Sequence, residues 1–344
     1  MRSCLLAAFL LLDRTPIPAQ PPIPVKVVVV TMFERGEDSG DDPGEFQYWV
    51  EREKLDQVYK FPQGNRDIRM NAAGVLGTVT GQGTAKAAAH IMALGLDPRF
   101  DLRKAYWIVA GIAGVNPAAA SLGSAAWAEW IVDGDLAREI DAREIPAGWD
   151  TGFIPLGGSK PYDPPGRVPG PGEAYHLNPA LTDWAFQLTQ GVRLDATQAM
   201  RTSRESYSQP NARRAPFVLK GDVLSASTFW HGALMDRWAN AWVKYETGGK
   251  GNFVMTAMED SGTMQALTFL ANAGRVDRER ILVLRTASNF DQQAAGKTAA
   301  ESLASGVIAF LPAIEAAWRV GSPVVHELTS HWDRYRDTIP QATH

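Results

Sequence analysis

Short, continuous apolar blocks punctuate the chain at residues 25–30, 74–80, 105–110, 217–219, 253–256 and 281–284, and helical stretches at 84–94, 231–242, 261–273 and 299–310 fall between them. A continuous apolar block marks a strand covered on both faces, whereas an alternating one marks a strand with a wet side. Covered strands alternating with helices predict an α/β sandwich. Residues 105–128 carry no charge over a length that reaches across a bilayer. Gly111, Gly114, Asn116, Pro117 and Gly123 interrupt them, so a lipid-exposed helix there would leave backbone groups unpaired. Two buried strands joined by a glycine-rich turn are expected, and no membrane span. Residues 146–179 are dense in Pro and Gly, including Pro169-Gly170-Pro171-Gly172, which predicts a long surface loop that is either a lid or a plain insertion. No fixed-period repeat is visible.

With 344 residues and 45% hydrophobic content the chain can bury one large core, and a single domain over 21–340 is expected. The balance of 34 basic and 38 acidic residues, net −4, supplies no polybasic surface for nucleic acid. The single cysteine, Cys4, excludes internal disulfides and cysteine-based metal sites. The chain opens with Arg2 and a short apolar run to Leu12, closed by Asp13-Arg14 and a proline-rich stretch. That is the grammar of a signal peptide and linker over 1–20, so an exported protein, periplasmic or secreted, is expected.

Familiar motifs are imitated and then broken. Gly81-Gln82-Gly83 follows a strand and opens a helix, but Lys86 stands where a dinucleotide fingerprint needs its third glycine, and Asp101 precedes the next strand instead of ending it. What survives is a set of backbone N–H groups at a helix start, including those of Gly83 and Thr84, able to meet a polar ligand. Gly296-Lys297-Thr298 resembles the end of a P-loop, yet Asp291 replaces the required first glycine. No Gly-x-Ser-x-Gly occurs, and the six histidines are scattered. Neither a metal nor a cofactor is expected.

Three strand ends carry the chemistry, where ligands of α/β sheets gather. After the first strand, Glu34, Glu37, Asp38, Asp41 and Asp42 surround Arg35, and Glu34, closest to the strand, is expected to point inward. Met258-Glu259-Asp260-Ser261 ends another strand and begins a helix. Asp260 suits a helix cap, and Glu259, one step nearer the strand, suits a sugar's vicinal hydroxyls. Ser288-Asn289-Phe290-Asp291 offers hydroxyl, amide, ring and carboxylate, matching a purine's need for edge partners and an apolar face; a turn would use the same residues.

Taken in order, these pieces resemble the nucleoside phosphorylase superfamily, and the run from Gly221-Asp222-Val223 to Thr228-Phe229-Trp230-His231-Gly232 narrows the resemblance to the purine nucleoside permease family. The resemblance implies a three-layer sandwich with a central mixed, barrel-like sheet flanked by helices, and a purine nucleoside site at the strand ends. It implies Met258 and Glu259 against the ribose, Asn289 facing N7 and O6 of the base, Phe229 and Trp230 for stacking, and His231 at the ribose end. Gly83, Thr84, Gly111 and Ser288 complete the implied substrate contacts. Relatives form dimers, trimers and hexamers, so a homo-oligomer is an open expectation.

The arginine and serine with which phosphorolytic relatives hold phosphate are absent around Val109-Ala110-Gly111-Ile112, and the acidic loop at 34–42 repels an anion. Hydrolysis of the N-glycosidic bond is therefore expected over phosphorolysis. Glu34 or Glu37 would orient or deprotonate water, Glu259 would fix the ribose hydroxyls, and Asp291 would donate the proton that the Asn289 amide cannot. The rival expectation is a non-catalytic nucleoside receptor serving a separate transporter.

Overall fold

The computed structural model describes residues 21–342. The expected leader at 1–20 lies outside them. A sheet of twelve strands runs through the molecule, and eight of these strands position the site: β1 (Val27–Thr31), β2 (Val75–Val79), β3 (Tyr106–Val115), β4 (Ala125–Ala128), β5 (Trp130–Asp133), β6 (Asp222–Ser225), β7 (Phe253–Ala257) and β8 (Ile281–Phe290). β1 and β2 are buried at every residue because helices cover both faces, the physical basis of their unbroken apolar runs. The stretch 105–128 forms β3, a turn and β4. Among the described residues no helix is long and apolar enough to cross a membrane.

β3 is the hinge of the sheet. Its first half lies between β1 and β8, both parallel to it, and its last residues pair antiparallel with β7. β8 pairs with β4, which leads directly into β5; Val218–Lys220 pairs with β4 and leads directly into β6, which pairs with β5 and β7. Two bent segments, 125–133 and 218–225, thus change partners midway and close the path back to β3, giving the barrel-like mixed sheet. Asp222 holds the bend: one carboxylate oxygen accepts from the Glu129 and Trp130 amides at 3.1 and 2.8 Å, and the other accepts from Asn252 N–H at 2.6 Å.

Helices α1 (Thr84–Leu96) and α3 (Asp260–Asn272) cover one face, and α4 (Phe310–Ser330) covers the other. α2 (Ala233–Glu246) packs near β6 and β7 through Trp238 and Trp242. The start of α3 lies so close to that of α1 that a Cβ on Gly262 would sit 2.1 Å from the Thr84 carbonyl oxygen. No other residue permits this approach, which brings Glu259 beside the Gly81–Gly83 turn.

Two expectations need correction. The helix expected over 299–310 is Ala299–Ala304 only, capped by Thr298 and Glu301; Gly306, at φ 73°, turns the chain before α4 begins. The Pro/Gly-rich stretch is not one loop, since Phe153–Pro155 and Ala174–His176 pair with Ala137–Glu139 and β5.

Replacing Asp222 with alanine leaves up to three backbone donors at the bend unpaired, each costing about 1–3 kcal/mol where water cannot reach. Urea unfolding should show a loss of about 2–4 kcal/mol, and a midpoint within error of the wild type would remove Asp222 as the staple.

Candidate active site

β1, β3, β7 and β8 end around one cavity of about 360 Å³. Met32 and Glu45 line it beyond β1, Ile112 to Gly114 belong to β3, Met258 and Glu259 follow β7, and Ser288 and Asn289 close β8. Gln82, from the Gly81–Gly83 turn, and Phe310, from the start of α4, complete the wall. A smaller cavity of about 110 Å³ adjoins it, bordered by His231 and Tyr207 and sharing Phe229, Asn289 and Val307.

Beneath the larger cavity lies a buried charge cluster. Arg285, fully buried on β8, donates to Asp260 through Nη2 at 2.6 Å and Nε at 3.0 Å, to Glu259 at 3.2 Å, and to the Ile112 carbonyl at 3.3 Å. Glu259 also accepts from the Gly83 and Met258 amides. Glu45 accepts from Met32 N–H at 2.8 Å and Ile112 N–H at 2.7 Å. These three carboxyls and one guanidinium meet where β3 carries Gly111, on which a Cβ would stand 2.6 Å from Arg285 Nη1 and 2.7 Å from Glu45 Oε1. Gly111 therefore does not line the cavity; it makes room for what does.

Three carboxylates against one cation would leave two uncompensated negative charges in a dry interior, a state that proteins avoid by taking up protons. Burial pushes Glu45 up to about 8; the Arg285 charge opposes the shift, and the Glu259 charge adds to it. Burial also raises Glu259, again against Arg285 and with Asp260. Asp260 is gripped by Arg285 through both Nε and Nη2.

The sequence-predicted residues divide. Met258, Glu259, Ser288, Asn289 and Phe229 border the main cavity, and His231 borders the smaller one. Asn289 is fixed by Ser288 Oγ at 2.9 Å and by the Phe290 carbonyl at 3.0 Å. Gly83 and Thr84 stand behind the wall, where Gly83 holds Glu259 and Thr84 pairs with Ser227. Four further expectations fail on geometry. Glu34 turns away from the cavity, because the amides of Arg35, Gly44, Phe46 and Gln47 converge on its carboxylate and make it the staple of its own loop. Glu37 is exposed at the loop tip. Asp291 is fully buried and borders neither cavity; burial and the neighbouring Asp236 drive its carboxyl well above the usual range. Trp230 packs on Trp238 and Phe253 instead of facing the site. Arg35, Glu45, Gln82 and Phe310 are among the lining residues that sequence reasoning missed as site residues. Glu45 sits at the far end of the 34–44 loop, and nothing in its spacing signals that the chain folds back to the strand end.

Residues 24–340 match the family described as purine nucleoside permease (NUP). The chain belongs to the purine nucleoside permease family. A Schizosaccharomyces pombe relative named as a purine nucleoside permease is 33% identical over 262 residues, covering 74% of this chain and 75% of that protein. The purine nucleoside permease of Candida albicans is 29% identical over 318 residues, covering 90% of this chain and 76% of that protein. Among solved structures, the 5′-methylthioadenosine/S-adenosylhomocysteine nucleosidase of Neisseria meningitidis, in complex with methylthio-immucillin-A, superposes with a TM-score of 0.51 at 15% identity, covering 88% of this chain and 99% of that one. Futalosine hydrolase of Helicobacter pylori gives 0.51 at 12% identity, covering 88% and 98%. At these identities the likeness is one of fold.

In this permease-family site the titration of Glu45 has a measurable consequence. A carboxyl that holds its proton more tightly when folded stabilises fully below its ordinary value of 4.5, and that contribution is lost as pH climbs through about 8. The melting temperature of the wild type relative to Glu45→Gln should therefore fall between pH 5 and 9, and a constant difference over that range would show that Glu45 titrates normally.

Proposed function

We propose that the cavity binds a purine nucleoside and hydrolyses its N-glycosidic bond. The observation that carries this is Glu45, a buried carboxyl raised to about 8 on the same wall as Glu259 and facing the cavity that Asn289 also borders. A general base works best with its pKa near the working pH. Glu45 contacts β3 at Ile112, and Asn289 lies beside Gly114. Those contacts are two residues apart on the strand, roughly 7 Å along the chain, a span that sets a base edge at one end and the far side of a sugar at the other.

In the proposed reaction Glu45 takes a proton from water as its oxygen bonds to the anomeric carbon, the bond to the purine breaks, and Glu259 holds the ribose hydroxyls. The departing purine keeps the bonding electrons and accepts a hydrogen bond from the Asn289 amide, which stabilises its charge without supplying a proton. The purine takes up the proton that Glu45 removed, relayed through solvent, which returns Glu45 to its carboxylate; His231 borders the adjoining cavity, its ring nitrogens have no partner among the described residues, and burial holds it below its ordinary pKa. Export of the chain belongs to the same proposal, with the site acting on nucleosides outside the cytoplasm. One observation favours a second reading, a nucleoside receptor without turnover: the acid expected to protonate the base, Asp291, is sealed from both cavities.

Incubating the protein with inosine, adenosine and guanosine in phosphate-free buffer and following free base separates the possibilities. Hydrolysis predicts base release with kcat/KM rising from pH 6 to 9 through an apparent pKa near 8, and a loss of about 100-fold or more in Glu45→Gln. Saturable binding with the nucleoside recovered intact would replace hydrolysis by the receptor, and release only with added phosphate would replace it by phosphorolysis.

A further inference from the structure

A second cavity, of about 370 Å³, lies on the opposite side of the segment that carries Phe229 into the nucleoside cavity. Phe229 faces one space, while its neighbours Thr228 and Trp230 face the other. The hairpin of Ala137–Glu139 and Phe153–Pro155 forms one wall, and the first turns of α2 form another. Its size falls in the range of small-molecule pockets.

Aliphatic side chains, among them Ile140, Ile145, Leu234 and Met235, make up the largest part of the lining, and three aromatic rings and three acids complete it. Trp230 and Trp238 are 7% and 3% exposed and meet edge to face at 6.2 Å, and Phe153 stacks on Trp238 with centroids 4.4 Å apart. The charged residues bordering the space are all acids, Asp135, Glu139 and Asp150, with no Lys, Arg or His among its lining. Asp135 is engaged by the Ser227 amide at 2.6 Å. The carboxylates of Glu139 and Asp150 have neither an ion-pair nor a hydrogen-bond partner among the described residues (of the bonds described at the hairpin's open end, those of Ile140 and Arg143 involve other groups). An aromatic wall attracts a cation through its ring quadrupole, and unpaired carboxylates at the mouth add Coulomb attraction. The same acids repel phosphates and carboxylates. An apolar solute could use the rings and the aliphatic wall but would gain nothing from the acids, which are exposed at the mouth.

We infer that this cavity is a second ligand site, taking a small organic ammonium cation with an apolar body. It stands on a separate set of walls and does not rest on the nucleoside proposal.

Calorimetric titration of the whole chain with benzyltrimethylammonium, benzyl alcohol and p-toluenesulfonate tests the inference. The cation should bind saturably, with the neutral and anionic probes at least ~10-fold weaker. The exposed-site double variant Glu139→Gln/Asp150→Asn should weaken the cation by ~10-fold while leaving the melting temperature unchanged. Binding should persist in saturating inosine. Absence of cation binding, equal affinity for the three probes, an unaffected double variant, or complete displacement by inosine would each overturn the assignment. Because none of these readouts uses base release, failure here leaves the nucleosidase proposal standing, and the reverse holds.

Discussion

The site depends on one buried cation. Arg285 sits midway along the central strand β8 with no solvent contact, and its guanidinium reaches Asp260, Glu259 and the Ile112 carbonyl at once. A buried ion is tolerated only when it is paired and hydrogen-bonded, and here the pairing ties β8 to β3 and to the start of α3. Removing the arginine would leave Asp260 and Glu259 as adjacent buried anions, so the positive charge explains both why these acids are inside and where they stand. The excess of carboxyl over guanidinium explains Glu45, since the surplus negative charge is avoided by holding a proton that burial makes hard to release.

Backbone economy sets the distances. Gly111 opens space in β3 for Arg285 and Glu45, and Gly262 lets α3 touch the start of α1, so that Gly83 N–H reaches Glu259. The closed path of bent strands through β3, β8, β4 and β6 then aims these ends at one volume. The cavity-lining acids are consequently held by backbone amides and one arginine instead of by mobile surface partners.

Much of the fold was legible because burial on both faces writes itself as unbroken apolar runs, and residues 25–30, 105–110, 253–256 and 281–284 all fall in or overlap strands of the sheet. The strand-end principle likewise located Glu259 and Asn289, each one or two residues from where its strand meets the cavity. It failed where the side chain's direction depends on a loop's return. Glu34 is nearest the strand, but four amides of its own loop claim it, and Glu45, eleven residues later, takes the inward place. Asp291 was misjudged because strand proximity says nothing about whether a carboxyl meets space or packed protein. α4 is absent from the helices the pattern predicts; in the structure Pro312 falls in its opening turn and Pro323 is accommodated within its length.

The central claim is spatial: a nucleoside lies between Glu45 and Asn289 with its sugar on Glu259. A crystal structure with a carbon-linked purine nucleoside analogue, which cannot be cleaved, tests it most directly. The account predicts the ribose hydroxyls within hydrogen-bonding distance of Glu259, the base edge on Asn289, and a water held by Glu45 on the face of the anomeric carbon opposite the base. An analogue seated elsewhere, or a sugar that keeps Glu45 out of reach of that face, would contradict it.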